Sequence, residues 1–164
     1  MTEAARGSVA AFDRAADNPT LNCTAKGMPM IMENPYPFEF VRDGDDIVLR
    51  IEEYDLVRTI HLDEDAAPPG AAVSPLGYSV GRWEGTELVV TTTRVSWPWF
   101  DHVGIPQSRS SVLVGRFAPR PDGSRLDYTL TVTDPVNFTE PVMLARYWLD
   151  LGESIVPYEC AEGV

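Results

Sequence analysis

Positive charge is scarce in this sequence. Lys and Arg together number 13 against 25 Asp and Glu, which gives a net charge of -12 and a pI near 4.4. A surface of this kind repels the phosphates of nucleic acids and the headgroups of anionic lipids. We therefore expect neither nucleic acid nor a membrane surface as a partner, and the sequence leaves a homodimer open.

Long apolar runs are also missing. No stretch approaches the ~20 apolar residues that a membrane-spanning helix needs. Residues 1–19 lack the apolar core that follows the basic start of a signal peptide. Both absences predict a cytoplasmic protein, unless a leader has been removed from the sequence.

Histidine and cysteine occur twice each, which limits metal chemistry. His61 and His102 stand in no H-x-H or H-E-x-x-H pattern, and two thiols alone cannot form a four-ligand zinc site. There is also no Gly-rich phosphate loop and no G-x-S-x-G nucleophile elbow. The sequence therefore predicts no metal and no cofactor. Cys23 and Cys160 are either two reduced thiols or one disulfide that ties an N-terminal arm to the C-terminal tail.

Short β-prone runs separated by turn residues are abundant. The clearest is the hairpin of residues 77–95, in which two runs rich in Val, Thr and aromatic residues flank Gly85. Similar runs lie at 38–42, 46–54, 56–63, 110–117, 126–133 and 142–149. Short connections favour antiparallel neighbours, and closure of the sheet removes exposed edges. The sequence thus predicts an all-β fold, a lipocalin-like antiparallel barrel of about eight strands.

The chain is long enough for one domain with a sizeable core. We expect residues 38–164 to form the barrel, with 150–164 as a tail, and residues 1–37 to form an N-terminal arm packed on it. The Ala-rich stretch 2–16 predicts one short helix, and the prolines after it indicate an irregular path. The expected packing residues of the arm are Met28, Met30, Ile31 and Met32.

Several charged residues fall on strand faces that should point inward. Glu53 and Arg58 alternate with core positions near one turn. Arginines flanked by apolar strand positions are Arg82, Arg116 and Arg146. Either such groups form structural ion pairs at the barrel ends, or they give an apolar pocket a polar floor suited to a carboxylate or another oxyanion. The strands add two candidate ligand-binding residues, Tyr78 and Tyr128.

The longest interruption between strands, residues 96–109, combines aromatic and polar side chains. Such a mixture is the usual lining of a small-molecule site, and function concentrates on long loops. The candidate ligand-binding residues here are Trp97, Trp99, Phe100, Gln107 and Ser108. Asp101 and His102 are the candidate general acid and base. The alternative is that the aromatic residues plug the end of the barrel while Asp101 caps a turn.

These features favour a cofactor-free enzyme of the lyase, isomerase, hydratase or cyclase type. Its substrate would be an oxygenated, mostly apolar compound held inside the barrel. The alternative is a non-catalytic module that binds a hydrophobic ligand or another protein. That function requires a pocket or a surface, and no residue with a tuned pKa.

Seven segments carry a resemblance to a known family: NPTLNCTAKGMPMIMENPYPFEF, RTIHLD, GYSVGRWEGTELVVTTTRV, WFDHVGIPQS, VGRF, LDYTLTVTDPVNFTEPV and PYEC. The chain resembles a large, mostly uncharacterised bacterial family whose members carry a GxSxGRWEGDTLVVxT core, followed by G-x-P-[HQ]-S and VERF, and then by DP…FT-x-P. Many members are exported, and the resemblance implies no mechanism. It covers residues 17–160 and draws attention to Arg82, Trp83, Glu84, Asp101, Gln107, Ser108, Arg116 and Asp134. The chain departs from the pattern at Thr86, where Asp is usual, at Gly115, where Glu is usual, and in having no visible export signal.

Overall fold

The computed structural model of the chain describes residues 1–18, 21, 23–150 and 152–160. It contains an eight-stranded sheet that curls into a half-barrel, preceded by a helix, α1 (Glu3–Ala11). The predicted all-β, lipocalin-like fold class is therefore confirmed. No helix in the described part of the chain has the length and apolar character needed to cross a bilayer.

The spatial order of the strands is the same as their order in the chain. They are β1 (Phe38–Asp43), β2 (Asp46–Ile51), β3 (Leu56–His61), β4 (Tyr78–Glu84), β5 (Glu87–Thr93), β6 (Val112–Pro119), β7 (Arg125–Thr133) and β8 (Val142–Leu149). Six of the seven neighbouring pairs are antiparallel. The β4–β5 hairpin turns at Gly85, whose φ of +64° explains the choice of glycine.

The pair β3–β4 is parallel, in contrast to the antiparallel neighbours expected throughout. It is joined by the register pairs Ile60↔Ser79 and His61↔Val80. Residues 62–77 connect the two strands, and this length allows the chain to return to the other end of the sheet, as a parallel connection requires. The sheet is thus two antiparallel meanders, β1–β3 and β4–β8, joined side by side.

The strands β1 and β8 form the two edges of the curled sheet. Among the described residues, no ladder of backbone hydrogen bonds joins these edges. Their side chains do meet, since the rings of Phe38 and Trp148 lie 4.6 Å apart between centroids. The half-barrel therefore has a seam that side chains bridge at one point and leave open elsewhere.

The N-terminal arm packs its apolar residues into the core. Thr2 caps α1 by accepting a hydrogen bond from the Ala5 N–H (3.3 Å). Further along, residues Met30–Glu33 form one turn of 3-10 helix. The four packing residues predicted for the arm are all at most 2% exposed, which confirms them: Met28, Met30, Ile31 and Met32.

Cys23 and Cys160 form a disulfide bond, the second of the two alternatives that the sequence left open. It fastens the C-terminal segment, defined here as residues 152–160, to the arm. Within this segment the Val156 N–H donates to Glu52 (3.1 Å) and the Tyr158 N–H donates to Asp55 (3.2 Å). The ring of Tyr158 also packs against two others, those of Tyr36 and Tyr54. The rest of the predicted tail, residues 161–164, lies outside the described residues.

Candidate ligand-binding cleft

A cleft of about 1150 Å³ opens at the unpaired edges β1 and β8. This seam cleft is close in size to the larger pockets that hold small molecules in proteins. Most of its wall is aromatic or aliphatic: Phe38, Phe40, Ile47, Trp83, Leu88, Phe117, Leu126, Tyr147, Trp148 and Leu149. A wall of this kind suits the apolar part of a ligand.

Strand alternation places the aromatic residues on this wall. Phe40 is registered with Leu49, which is fully buried, so both side chains lie on the inner face of the sheet. The ring of Phe40 then meets that of Phe117 at 5.2 Å between centroids. On the opposite edge, Trp148 and Arg146 share the inner face of β8.

One end of the seam cleft is polar and consists of Glu33, Asn34 and Arg146. The Glu33 Oε1 lies 4.0 Å from the Arg146 Nη2, and the Glu33 side chain is only 16% exposed. The Asn34 Oδ1 accepts from the Lys26 Nζ at 2.8 Å, but the Asn34 Nδ2 is buried and has no partner among the described residues. Glu33 and Arg146 therefore offer a carboxylate and free guanidinium N–H groups to anything bound in the cleft.

The surroundings of Glu33 favour its protonated form. Burial raises the pKa of Glu33 above its ordinary value of 4.5, Arg146 partly offsets this increase, and the charge of Asp101 adds to it. A carboxyl group with a raised pKa exchanges its proton closer to neutral pH than an exposed one.

The other end of the cleft carries charges of both signs. Arg125 packs its guanidinium over the Tyr147 ring at 4.1 Å and forms an ion pair with Asp127. The remaining charged residues at the cleft are Arg42, Asp150 and Glu153. Arg42, Asp150 and Glu153 are exposed to solvent, and exposed charges contribute little to recognition.

Arg58 lies inside the barrel without an acidic partner. Its side chain is 3% exposed, and it donates to Ser79 Oγ (3.0 Å) and to Thr92 Oγ1 (2.7 Å). No carboxylate in the described part of the chain forms an ion pair with it, and burial lowers its pKa while Tyr128 acts in the other direction. The ion pair of Glu53 with Arg58 that was one sequence alternative is therefore absent.

Glu53 instead pairs with Lys26 of the arm at 2.7 Å. Glu53 continues the inward alternation of β2 and begins a 3-10 turn, Glu53–Asp55, in which Tyr54 and Asp55 have positive φ. The prediction that Glu53 points inward holds, since it is 3% exposed. The partner, Lys26, belongs to the arm, and the alternation of residues in strands does not predict where the arm lies.

Tyr128 lies behind the cleft wall. Its ring is 4.5 Å from that of Phe117, and its hydroxyl is buried with no partner among the described residues. A Cβ at Gly115 would lie 3.0 Å from this hydroxyl, so the absence of a side chain at Gly115 makes room for it. Burial raises the pKa of Tyr128 to about 12. Tyr128 is thus a neutral phenol that supports the cleft from inside.

Arg82 and Arg116 lie on the outer surface of the barrel. Both bind Glu84, at 2.6 Å from Arg82 Nη2 and 2.8 Å from Arg116 Nη1, and Arg116 also reaches Glu87 at 3.2 Å. The side chains of these arginines are 60% and 42% exposed. The interior placement expected for them is wrong, because Ser79 and Gly81 form the inner face of β4 and Gly115 the inner face of β6.

The aromatic residues of the 96–109 loop pack into the protein interior and not around the cleft. Trp97 and Phe100 are each 6% exposed, and the Trp97 Nε1–H points at the Met30 sulfur (3.1 Å). Trp99 packs its ring on Phe12 at 4.9 Å between centroids. This geometry matches the alternative in which the loop plugs the end of the barrel.

Asp101 caps a turn in the same loop. Its Oδ1 accepts from the N–H groups of Val103 (3.0 Å) and Ile105 (3.1 Å). As a whole residue His102 is exposed. Partial desolvation of its ring is the main cause that lowers the His102 pKa, and the charge of Lys26 is the second. Neither Asp101 nor His102 lines the seam cleft.

Gln107 and Ser108 fix the loop to its surroundings. The Gln107 amide donates to the carbonyls of Met28 (2.9 Å) and Trp97 (3.2 Å). Ser108 donates to Asp134 through its N–H and its hydroxyl, both at 2.7 Å. The Gln107 amide nitrogen and the Ser108 side chain are therefore occupied by structural hydrogen bonds, while the Gln107 Oε1 is buried without a partner among the described residues.

Tyr78 lies away from the cleft, at the start of β4. Its hydroxyl donates to Glu64 (2.7 Å) and its ring stacks on His61 at 4.7 Å between centroids. Burial, then the hydrogen bond to Glu64, raises the pKa of Tyr78 to about 12. Of the residues proposed from the sequence for ligand binding or the polar floor, Arg146 is the one that lines the seam cleft.

Sequence reasoning missed most of the cleft. The alternation of Phe38, Phe40 and Arg42 on one strand was readable from the sequence, as was that of Leu144, Arg146 and Trp148 on another. What the alternation does not show is that these two strands are the edges of the sheet. The polar end was hidden for a further reason, because Glu33 and Asn34 belong to an arm without a periodic pattern.

The fold and the cleft together define a lipocalin-like β half-barrel with a candidate small-molecule site at its open seam. No family model matches the chain, and neither a curated protein nor a solved structure matches it. The family resemblance of the sequence motifs therefore stays a prediction.

Proposed function

We propose that the seam cleft binds a small, largely aromatic molecule with an oxygen-bearing polar group. The observation that carries this proposal is the combination of a cleft of about 1150 Å³, an aromatic wall and one enclosed polar end. Pockets with mainly apolar walls and a few convergent polar groups are the usual form of a small-molecule site.

The wall and the polar end have separate roles in this proposal. Phe40, Phe117 and Trp148 offer ring faces and edges to the apolar part of the ligand. The Arg146 guanidinium and the free Asn34 Nδ2–H donate to an oxygen of the ligand. Burial raises the pKa of Glu33 and Arg146 lowers it, and a neutral ligand with an oxygen acceptor avoids repulsion by this carboxyl group.

The catalytic roles predicted for Asp101 and His102 gain no support from their position. Asp101 is occupied by two backbone N–H groups, and His102 points away from the cleft lining. Ligand binding at the seam cleft needs neither residue, so we place it first among the two functions that the sequence suggested.

Thermal shift measurements test the binding proposal. We expect 2-naphthoic acid and 2-naphthamide to raise the melting temperature more than 2-(aminomethyl)naphthalene does, because guanidinium and amide N–H groups need an acceptor. Phe40→Ala should weaken binding about tenfold, which corresponds to ~1.4 kcal/mol. Val57→Ala removes a side chain that is 56% exposed and outside the cleft, and it should leave binding unchanged. The proposal fails if none of the three compounds binds, or if both variants bind as the unmodified protein does.

The disulfide bears on where the protein works. Such bonds persist in oxidising compartments and are rare in a reducing cytoplasm. The Cys23–Cys160 bond therefore supports an oxidising compartment. The cytoplasmic location predicted from the sequence stays a prediction, with this bond as the observation against it.

A further inference from the structure

Glu33 is an unusual carboxylate in this protein. It lines the seam cleft, its side chain is mostly buried, and no hydrogen bond to its oxygens exists among the described residues. The nearest cation, Arg146, lies 4.0 Å away, which is beyond the length of a direct hydrogen bond. Buried carboxylates are normally hydrogen-bonded or closely paired, so both oxygens of Glu33 are available to a bound molecule.

Two N–H donors lie at the same end of the cleft. The Asn34 Nδ2 is buried without a partner in the described part of the chain, although the Asn34 Oδ1 is held by Lys26. Arg146 uses its Nη1 for the carbonyl of Ala145, which leaves other guanidinium N–H groups free to bind a ligand. A carboxylate with a guanidinium 4.0 Å away, some of whose N–H groups are free, can remove a proton next to a carbonyl and stabilise the oxygen anion that forms.

We propose that Glu33 catalyses proton transfer at the carbon beside the carbonyl of an aromatic ketone bound in the seam cleft. This inference rests on the proposed binding function. In the first step the Glu33 carboxylate takes the proton, the C–H electron pair forms a C=C bond, and the carbonyl π pair moves to oxygen. Arg146 donates a hydrogen bond to the resulting enolate oxygen. In the second step the Glu33 carboxylic acid returns the proton to a carbon of the enolate, so the reaction is an isomerisation that needs no co-reactant.

The environment of Glu33 supports this role. A general base works best when its pKa lies near the working pH, and burial raises the pKa of Glu33 in that direction. The charged and titratable groups that act on it are Arg146 from β8, Asp101 from the loop after β5, and Tyr128 from β7. Of these, Arg146 lowers the Glu33 pKa and Asp101 raises it, while Tyr128 stays neutral below a pH of about 12.

Hydrogen–deuterium exchange at carbon tests the proposal. The probes are 1-indanone and 2-tetralone in D₂O, with loss of the proton signal beside the carbonyl followed by NMR. We expect the unmodified protein to accelerate exchange of at least one ketone tenfold or more over buffer. Glu33→Gln should remove the acceleration and keep the binding measured by thermal shift. Glu140→Gln changes an exposed carboxylate outside the cleft lining and should keep both.

The pH profile separates a catalytic from a structural role of these residues. The exchange rate should rise with pH and level off above the Glu33 pKa. Arg146→Met removes the positive charge that lowers this pKa, so its profile should shift to higher pH and its plateau should fall at least tenfold. Exchange that persists in Glu33→Gln, or ketones that bind without accelerated exchange, would overturn the proton transfer and leave the binding function intact. If neither the ketones nor the naphthalene compounds bind, the binding function is wrong and this inference falls with it.

Discussion

Asp134 joins two distant parts of the chain through one carboxylate. It is 1% exposed and accepts from the Ser108 N–H and hydroxyl, the Val136 N–H (3.2 Å) and the Asn137 amide (2.8 Å). Burial by itself raises the pKa of Asp134, but these hydrogen bonds outweigh it and hold the pKa below the ordinary value of 3.8. The ionised form of Asp134 therefore helps to hold residues 96–111, the segment before β6, in place.

Asp134→Asn should destabilise the protein at neutral pH. The amide turns one acceptor into a donor among four donors, and we expect a loss of about 2–4 kcal/mol in the free energy of unfolding. The folded-state pKa is lower than the unfolded one, so the contribution is present above about pH 4 and is lost as the pH falls through the folded pKa. Urea unfolding at pH 7 and at pH 3.5 measures this. Asp45→Asn, at an exposed position, is the control; equal stability of the two variants at pH 7 would contradict the expectation.

Arg58 is the opposite case, a buried charge that costs stability. It donates to the hydroxyls of Ser79 and Thr92, which also lie 3.1 Å from each other, and its Nη1 lies 3.9 Å from the Met32 sulfur. Removing the guanidinium leaves the two hydroxyls able to satisfy one another. Burial lowers the pKa of Arg58, which indicates that the charged form is disfavoured where it lies.

Arg58→Met should leave the free energy of unfolding unchanged or raise it by about 1–3 kcal/mol, since an apolar side chain of similar length replaces a desolvated cation. Guanidinium chloride unfolding at constant pH measures the change. Arg50→Met breaks an exposed pair with Glu39 and should change stability by less than ~1 kcal/mol. If Arg58→Met lowers the free energy of unfolding by more than about 2 kcal/mol, the contacts of the guanidinium stabilise the fold and the expectation is wrong.

At the level of whole elements, the arm and the C-terminal segment act as one unit. The arm packs its methionines into the barrel, whereas the C-terminal segment has only a few contacts, made by Val156 and Tyr158. The disulfide connects them, and it joins residues separated by 137 positions. Both contribute to the lining of the seam cleft, the arm through Glu33 and Asn34 and the C-terminal segment through Glu153.

Replacing both cysteines, Cys23→Ser with Cys160→Ser, should lower the free energy of unfolding by at most roughly 4–5 kcal/mol in the chain-entropy account of so long a loop. Hydrogen exchange should rise most in residues 152–160, whereas amides of β5, β6 and β7 that exchange only through global unfolding should speed up by no more than the loss in the free energy of unfolding. Reductant should destabilise the unmodified protein and have no effect on the double variant. Equal exchange of residues 152–160 in both proteins would mean that other contacts hold the segment.

Across the whole molecule, the sequence predicted which residues face the inside of the sheet. It did not predict which strands form the edges of the sheet. Leu49 and Leu130 are buried as their period-2 patterns predicted, because alternation is a property of each strand by itself. Arg82 and Tyr78 were harder, since β4 contains both apolar and polar residues on each face. In β4 the small residues Ser79 and Gly81 are buried on the inner face, so Tyr78 and Arg82 lie on the outer face.

The candidate site was largely hidden from the sequence for a different reason. It arises where β1 and β8 approach without pairing, and these strands are more than 90 residues apart in the chain. No local pattern records such an approach. The parallel contact of β3 with β4 was hidden in the same way, because it depends on the path of residues 62–77 across the end of the sheet.

The strand order also has a consequence for how the protein is made. Since every strand lies beside the one that precedes it, a nascent chain leaving the ribosome can add each new strand to a sheet already begun. β1 remains an exposed edge throughout, and β8 arrives last. A chain released before Val142 would therefore carry a nearly complete sheet with one side of the seam cleft missing. Ligand binding then becomes a property that only the finished polypeptide has.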